Sequence, residues 1–444
     1  MRLAFLCSYT PTLAWPRRCL EEGAEVLVYL KGDITNKSGE GIVPITHSLE
    51  QWLAWGALDP QTIYFFDITK SGDIADKLRK AGRIVVNGGS FQDRLELDRE
   101  WGENIAKKNG ILTPPTYTFN SINEVIAFLK TNPQQQHGDG GWAWKASRDL
   151  GCDTTLVGKD SQQIIDHVEH IRTRFSDSVK CILQEKIKGV AVSTARWWNG
   201  IGWVGPYQGT LENKKFMNDN LGPATGCQFN VVWFYWEKEP TVAKSLRWEA
   251  LAADFRKNNA PPGLYDINCI FNEKGAWYLE WTPRLGIDSE ITSQRGIKHL
   301  STFIENLAYG REVDSLFLKK QAYFDITLSV PPYPMQDCQK GYKSPAPGVP
   351  IRGIDGLTSG MFVMGGMYYD QQSGFSVGEP TGNLGFVVMA GNSMKKTYEK
   401  MYDWIKENLV IPDLQYRTDA QKVLQKDIDE MESFGFYTCP ALRK

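Results

Sequence analysis

The first ninety residues alternate short apolar runs with helix-like stretches, and this pattern constrains the fold more than any other feature. The apolar runs read RLAFLC, AEVLVYL, TIYFF and GRIVVN. Strands that alternate with helices predict βαβ units and a parallel sheet, because parallel neighbours need a crossover connection between them. The first run leads into SYTP rather than into G-x-G-x-x-G, so the dinucleotide fingerprint that would predict NAD is missing.

Composition excludes several classes of protein. The 444 residues carry 50 basic and 52 acidic side chains, which makes nucleic acid or an anionic membrane an unexpected partner. No apolar run approaches the roughly 20 residues that a membrane-spanning helix needs, and Leu3–Cys7 is shorter than the apolar core of a secretory signal. The eight cysteines are scattered and form no C-x-x-C pair, so we expect free thiols in a reducing cytoplasm.

Three segments in the middle of the chain carry candidate binding residues. Lys145 ends the strand-like run WAWK, where it would either contact a phosphate or be an ordinary strand-end lysine. The run CILQEKIKG at 181–189 would either offer its backbone to an adenine ring or be a plain edge strand. Lys214 precedes Gly222–Gly226, whose glycines and proline predict a tight turn. The backbone N–H groups of this turn would either bind an anion or belong to an ordinary surface turn without a ligand.

A fourth segment is the most informative because it reads as a hairpin. Residues 265–271 and 277–284 are two alternating runs around a short turn that contains Gly275. Period-two alternation gives each strand one polar face. Hard oxygen donors on such a face suit Mg²⁺ bound to nucleotide phosphates, and the alternative is an amphipathic hairpin with one wetted face. With the strands in register, the common face presents Asp266, Asn268, Glu280, Thr282 and Arg284.

Tryptophan is abundant, with 15 in the chain, and its placement decides whether it serves a ligand or the core. Trp144, Trp277 and Trp281 lie beside Lys145 and Glu280 on the predicted strands. By the same alternation, we expect these three rings to point away from the polar groups and into the core.

The order of these segments resembles that of the ATP-grasp ligases and, within them, the phosphoribosylamine–glycine ligase (glycinamide ribonucleotide synthetase) family. The resemblance covers nearly the whole chain. Its most specific element is Gly222–Gly226, GPATG, which is similar to the family's G-P-N-T-G loop. Leu279–Gly286, LEWTPRLG, resembles the metal-binding L-E-F-N-C-R-F-G segment, and Gln184–Ile187, QEKI, resembles the adenine hinge.

The resemblance implies an α/β and α+β architecture, an ATP-grasp fold with an N-terminal Rossmann-like parallel-sheet domain and a small C-terminal β-rich domain. The implied ranges are 1–92 for the N-terminal domain, 93–318 for the ATP-grasp domain with its ATP lid near 115–190, 319–410 for the small domain and 411–444 for a helical tail.

The resemblance also implies roles for individual residues. ATP would be bound by Arg99, Lys145, Gln184, Glu185 and Ile187. The metal ion, Mg²⁺ or Mn²⁺, would be bound by Glu280, Thr282, Asp266 and Asn268. Substrate would contact Gly222, Pro223, Thr225, Gly226, Arg284 and Gly286, and the catalytic residues would be Arg284, Lys214 and Thr225. The partners would be small molecules, namely an amino acid such as glycine and an amine acceptor; the oligomeric state stays open.

Three departures from the family pattern leave alternatives open. Thr282 stands where the family has an asparagine ligand, and Ala191 or Val192 stands where it has an acid for the ribose. The glycine-rich turn after the first strand is also missing. The expected reaction is amide formation through an acyl phosphate, with ADP and phosphate released. Phosphoribosylamine and glycine are the first expected substrates; the alternatives are another amine acceptor, or a protein that binds nucleotide without turnover.

Overall fold

The computed structural model describes residues 1–32, 36–132, 141–146, 155–172, 179–236, 241–286, 288–318, 321–335, 343–435 and 439–442. Among these residues, none of the helices combines the length and the apolar character needed to span a membrane.

The N-terminal part is the parallel sheet that the alternating apolar runs predict. Its strands are β1 (Arg2–Cys7), β2 (Glu25–Leu30), β3 (Ile45–Thr46), β4 (Ile63–Phe66) and β5 (Ile84–Val86), in the order β3-β2-β1-β4-β5. Between them lie helices α1 (Ala14–Glu21), α2 (Leu49–Ala57) and α3 (Gly72–Lys80). β1 is buried on both faces, with Leu3 and Phe5 in one core cluster and Ala4 and Leu6 in another. This burial explains the unbroken apolar run.

Two short helices follow this sheet. α4 (Ser90–Leu97) ends before Asp98, whose side chain accepts a hydrogen bond from the Trp101 N–H (3.1 Å) and caps α5 (Arg99–Lys108). The charged pattern of residues 93–109 predicts one continuous helix, and this prediction is wrong at Asp98. The reason is physical, because an aspartate competes for backbone N–H groups and favours a cap over a helix interior.

A four-stranded sheet, called the lid sheet below, lies inside the range predicted for the ATP lid. Its strands β6 (Thr116–Phe119), β7 (Trp142–Ala146), β8 (Thr155–Gly158) and β9 (Cys181–Glu185) pair in the order β6-β9-β7-β8. Helices α6 (Ile122–Thr131) and α7 (Ser161–Arg172) cover the face that carries Trp142, Trp144 and Leu183. Lys145 and Gln184 belong to the opposite face, because side chains alternate along each strand.

The largest element is a sheet of eight strands, called the large sheet below. It has the order β14-β13-β10-β11-β12-β15-β19-β16. The strands are β10 (Val190–Trp198), β11 (Trp203–Met217), β12 (Leu221–Tyr235), β13 (Gly263–Asn272), β14 (Gly275–Trp281), β15 (Ala322–Ser329), β16 (Phe362–Met364) and β19 (Asn383–Gly391), while β17 (Met367–Asp370) and β18 (Gly374–Val377) form a separate hairpin. The remaining helices are α8 (Thr241–Ser245), α9 (Trp248–Lys257), α10 (Ser289–Ser293), α11 (Leu300–Ala308), α12 (Met394–Asn408) and α13 (Ala420–Ser433).

The large sheet runs across the predicted limit between the ATP-grasp domain and the small C-terminal domain. β15 pairs with β12, with Val231 opposite Phe324, and β19 pairs with β15. The β-rich C-terminal region therefore extends the sheet that carries the predicted metal-binding hairpin. The domain limits at residues 92, 318 and 410 stay predictions.

Arg417 fastens a C-terminal segment to the tip of the β11–β12 hairpin. Its guanidinium, 1% exposed, donates to Asn213 Oδ1 (2.6 Å), Asn220 Oδ1 (2.9 Å) and the Lys215 carbonyl (2.8 Å). Two further hydrogen bonds go to the Asp419 carboxylate (2.9 and 2.8 Å). The buried charge is therefore paired and hydrogen-bonded, as burial of a cation requires.

Arg417→Ala should lower the free energy of unfolding by about 3 kcal/mol, because it leaves Asp419 and several buried acceptors without their donor. Urea unfolding measures this change. Lys422→Ala is the control: Lys422 pairs with Asp219 at the same hairpin tip but is exposed, so its unfolding midpoint should not move. Equal midpoints for the two variants would contradict the role of Arg417.

Candidate active site

The β13–β14 hairpin has the register that brings its polar residues together. Asn268 lies directly opposite Glu280, and the Thr282 N–H donates to the Asp266 carbonyl (2.9 Å). The Thr282 hydroxyl donates to Asp266 Oδ2 (2.8 Å) and accepts from Asn268 Nδ2 (3.3 Å). The four residues predicted to bind metal therefore form one continuous surface.

A β-bulge in β14 determines which other side chains lie on the same face as this surface. The register skips one residue of β14 between Tyr278 and Glu280, and side-chain alternation reverses across the skipped residue. Trp277 consequently lies on the same face as Glu280 and is half-buried, so the prediction that it points into the core is wrong. Trp144 and Trp281 are both 0% exposed, in agreement with their prediction.

Two cations from different elements approach Glu280 across the space between the lid sheet and the large sheet, called the cleft below. Arg99, at the start of α5, donates from Nη1 to Glu280 Oε2 (2.9 Å) and from Nε to the Ala146 carbonyl of the lid sheet (3.3 Å). Lys145 of the lid sheet donates from Nζ to the Leu279 carbonyl of β14 (3.1 Å). Both cations therefore link the two walls of the cleft.

These charges shift the pKa values of their neighbours. Burial alone would raise the pKa of Glu280, but Arg99, Lys145 and Lys214 lower it to about 2. Burial lowers the pKa of Lys145 to about 8, helped by Arg99 and opposed by Glu280. Strongly shifted pKa values of this kind cluster at functional sites, where burial and neighbouring charges act together.

Lys214 joins this group from β11. Its Nζ lies 3.6 Å from Glu212 Oε2, and this carboxylate raises the pKa of Lys214. Thr225 on β12 donates its hydroxyl hydrogen to the Lys214 carbonyl (2.9 Å). The predicted catalytic residues Lys214 and Thr225 therefore lie on adjacent strands, and Lys214 is near enough to Glu280 to lower its pKa.

Arg284 and Gly286 lie just after β14. Arg284 donates to Glu96 Oε1 from Nε (3.2 Å) and from Nη2 (3.1 Å). Burial opposes the charged form, but the Glu96 pair raises the pKa of Arg284. The Gly286 N–H donates to Glu290 Oε2 (2.7 Å). Arg284 Nη1 also donates to the Leu285 carbonyl (3.1 Å), so Glu96 and this carbonyl together fix the position of the guanidinium.

The surface formed by β13 and β14 suits a divalent cation. Mg²⁺ takes hard oxygen donors and is commonly held by one or two carboxylates together with substrate phosphates. Glu280 offers an ionised carboxylate and Asn268 a carboxamide oxygen, while Asp266 Oδ1 is buried without a hydrogen-bond partner among the described residues. Burial and then Glu290 raise the pKa of Asp266 to about 7, so a cation would stabilise its charged form.

No group of three or more His, Cys, Asp and Glu side chains in the described part of the chain forms a preformed metal cage.

The predicted adenine hinge connects the lid sheet to the large sheet. β9 ends at Glu185, and residues 186–189 lead into β10. The Glu185 N–H donates to the Pro115 carbonyl (3.0 Å), and Ile187 is buried. Glu185 and Ile187 therefore lie at the junction between the two sheets that form the cleft.

A cavity of about 390 Å³ opens at the edge of the cleft, between Trp277, α5 and the segment Thr113–Thr116. Gln184 Nε2 donates to Thr116 Oγ1 (3.0 Å) and to Glu103 Oε2 (3.3 Å) beside this cavity. Burial raises the pKa of Glu103. An indole face and two prolines next to hydrogen-bonding groups make a wall that suits a flat ring.

Sequence reasoning missed Trp277 and Glu103 as site residues. The alternation of β14 gives the wrong face for Trp277 because the bulge is invisible in a single strand. Glu103 lies on α5 without a motif around it, and only its position facing Gln184 and Lys145 marks it.

The segment Gly222–Gly226 is not the tight turn that its glycines and proline predict. It begins β12, and the chain reverses just before it at Asn218–Asn220. Gly222 has a φ of 75° and its carbonyl accepts a hydrogen bond from Lys215 Nζ (3.2 Å). The segment is instead the exposed end of a strand, because its backbone pairs with β11, with Ala224 opposite Lys215.

Glu280→Gln should lower the pKa of Lys145 below about 8, because it removes an attraction that favours the ammonium form while burial and Arg99 remain. ¹³C-lysine NMR, with the signal assigned through Lys145→Arg, measures this pKa. Glu212→Gln is the control, since Glu212 contacts Lys214, and it should leave the Lys145 pKa unchanged. Identical Lys145 pKa values in wild type and Glu280→Gln would contradict the coupling.

No family model and no curated protein matches the sequence. Among solved structures, phosphoribosylamine–glycine ligase from Thermotoga maritima superposes with a TM-score of 0.71 at 16% identity, over 94% of this chain and 100% of that one. Biotin carboxylase from Campylobacter jejuni gives 0.64 at 12% identity, over 98% and 97%. N5-carboxyaminoimidazole ribonucleotide synthetase from Thermus thermophilus gives 0.58 at 11% identity, over 91% and 98%. These are ATP-grasp enzymes. The likeness extends over nearly the whole chain, and the protein has the ATP-grasp fold.

Proposed function

We propose that the protein is an ATP-dependent ligase that joins a carboxylate to an amine. The γ-phosphoryl group of ATP would pass to a carboxylate oxygen as its bond to ADP breaks. The amine lone pair would then attack the acyl carbon, so that a C–N bond forms, the C–O bond to phosphate breaks and the amine loses a proton. The observation that carries this proposal is the convergence of Arg99 and Lys145 on Glu280 across the cleft.

The cations suit phosphoryl transfer because this reaction depends on positioning and charge neutralisation rather than on an enzyme nucleophile. Arg99 and Lys145 would contact the phosphates from the two walls of the cleft, and Lys214 would add charge from β11. Without nucleotide, Glu280 neutralises the same cations. Bound phosphates would take over part of that role.

The remaining residues divide between the metal, the base and the substrate. Glu280 and Asn268 would hold Mg²⁺ or Mn²⁺, which when bound neutralises charge on the phosphate oxygens. The base would lie at the hinge, between Ile187 and Trp277. Arg284 would bind the substrate carboxylate, and the Gly222–Gly226 segment would border the acceptor.

The structural neighbours support this reaction class by their names, which include a ligase for phosphoribosylamine and glycine and a synthetase of a ribonucleotide. A role in purine biosynthesis and a cytoplasmic location remain predictions. A different amine acceptor is favoured by the turn after β1, where the Asp67 carboxylate accepts from the backbone N–H groups of Ser8 and Tyr9. Nucleotide binding without turnover is the third candidate, and Thr282 in place of an amide ligand motivates it.

Hydroxylamine tests the ligase reaction independently of the natural acceptor, because it converts acyl phosphates into hydroxamates. With Mg²⁺, ATP, hydroxylamine and a panel of amino acids, wild-type protein should form ADP and a hydroxamate in equal amounts for at least one carboxylate. Mass spectrometry identifies the product. Thermal stabilisation by nucleotide with no hydroxamate across the panel would instead support the non-catalytic candidate.

Glu280→Ala should reduce hydroxamate formation by roughly 100-fold or more while the protein stays folded, because the cleft loses its anionic centre. Glu249→Ala is the matched control. It removes a glutamate whose Oε1 lies 2.8 Å from Arg196 Nη1, an ion pair as short as that of Glu280 but outside the cleft, and it should keep the wild-type rate. Undiminished turnover in Glu280→Ala would refute the assignment.

ATP affinity should weaken as the pH rises through about 8, because only the ammonium form of Lys145 attracts phosphate. Between about pH 7.5 and 9.5, calorimetric titration should show a loss of roughly tenfold. Lys145→Arg should abolish this dependence, since its guanidinium stays charged throughout. Parallel pH profiles for the two proteins would exclude Lys145 as the titrating group.

A further inference from the structure

The turn after β1 is filled by a carboxylate of the protein itself. Asp67, which directly follows β4, accepts at Oδ2 from the Ser8 N–H (2.7 Å), the Tyr9 N–H (3.1 Å) and the Thr12 hydroxyl (2.9 Å). Its Oδ1 accepts from the Ile68 N–H (2.7 Å). Asp67 is only 1% exposed, so these four donors point inward to a buried carboxyl group. Burial raises its pKa to about 6, and the hydrogen bonds of the four donors oppose that rise.

The position of this turn is where a sheet of this topology binds ligands. The strand order β3-β2-β1-β4-β5 reverses direction between β1 and β4, and ligands of such sheets bind outside the carboxyl ends of the strands at that point. Backbone N–H groups in a turn between a strand and a helix form an anion site. In this protein, the N–H groups of Ser8 and Tyr9 are committed to Asp67.

The turn also adjoins the proposed reaction centre. The Leu285 N–H, next in sequence to Arg284, donates to the Asp67 carbonyl (3.0 Å). Tyr9 is close enough to Arg284 to influence the pKa of its guanidinium. A carboxylate substrate bound at Arg284 would therefore lie beside the β1 turn, and the amine acceptor would approach it from the side of this turn.

The surroundings of the turn do not favour a second anion. Pro11 has no N–H to offer, and the Thr10 hydroxyl is hydrogen-bonded to Glu379 Oε2, which places another carboxyl group beside the turn. A phosphate here would face two carboxyl groups and would find the main backbone donors occupied.

We infer that Asp67 permanently occupies the anion site at the carboxyl end of β1, and that the acceptor is an amine without a phosphate group at this position. The inference rests on the proposed ligase function. It makes Asp67 a specificity-determining residue and replaces phosphoribosylamine, the first expected acceptor, by an unphosphorylated amine.

Ribosylamine and phosphoribosylamine are a matched pair of acceptors for the test. With a carboxylate that forms a hydroxamate, we expect kcat/KM to gain nothing from the phosphate group. A value at least tenfold higher for phosphoribosylamine would overturn the inference. Hydroxamate formation reports the ligase chemistry separately, so its failure would remove the proposed function while the anion test below still judges the role of Asp67.

Formate tests the anion site without turnover, because it matches the carboxylate that Asp67→Ala removes. With ADP saturating the nucleotide site, formate should raise the melting temperature of Asp67→Ala by several degrees, since it binds only the folded state. Wild type and Thr12→Val, which both keep the Asp67 carboxylate in the turn, should show no shift.

Equal stabilisation of all three proteins, or no shift in folded Asp67→Ala, would overturn the occupied anion site. Asp67→Ser leaves most of the same space with a small polar side chain, and it replaces Asp67→Ala in the comparison should the alanine variant not fold.

Discussion

The carboxylate of Glu280 joins the two walls of the cleft, and much of the fold serves to place it. β14 carries it at the edge of the large sheet, while α5 and the lid sheet bring Arg99 and Lys145 to it. Opposite unit charges about 4 Å apart attract by about 4 kcal/mol at an effective dielectric constant near 20. The two walls of the cleft are therefore linked through the same charged side chains, Arg99 and Lys145, that would contact the phosphates in the proposed reaction.

Two carboxylates on neighbouring strands behave in opposite ways. Three cations lower the pKa of Glu280 to about 2, whereas burial and Glu290 raise that of Asp266 to about 7. The difference arises because Arg99, Lys145 and Lys214 all act on Glu280, whereas the charged groups that act on Asp266 are the carboxylates of Glu290 and Glu212. Glu280 therefore provides a fixed negative charge at neutral pH, and the neighbouring carboxyl group of Asp266 can gain or lose its proton when a cation or substrate arrives.

The periodicity of apolar and polar residues predicted the N-terminal sheet and one face of β13. Apolar runs separated by helices were enough for the N-terminal sheet, and alternation was enough for the common face of Asp266 and Asn268 on β13. Trp277 could not be placed, because a bulge arises from the pairing of two strands and not from one. Gly222–Gly226 has the composition of a turn, but pairing with β11 makes it part of a strand.

Sequence reasoning could not predict the long-range contacts either, because these also arise only when separate elements pack together. Asp67 contacts the turn at Ser8 from 59 positions away, and no spacing rule relates a strand-end aspartate to the N–H groups of another strand's turn. Glu103 similarly acquires its place only when α5 packs beside the lid sheet. The candidate residues on one hairpin could be named from alternation, and Arg99 and Lys145 from the family resemblance. Asp67 and Glu103 could not be named, because only the packing of separate elements places them.

The hydrogen bonds between Arg417 and the tip of the β11–β12 hairpin have a consequence for the synthesis of the protein. The guanidinium bonds Asn213 across 204 positions, so the hairpin that carries Lys214 and Thr225 cannot be fastened until that much more chain has been made. At about 5–20 residues per second, this takes roughly 10–40 s. During that interval the nascent chain has its strands but not its finished tip, so the wall of the cleft formed by this hairpin is completed only after Arg417 has been made.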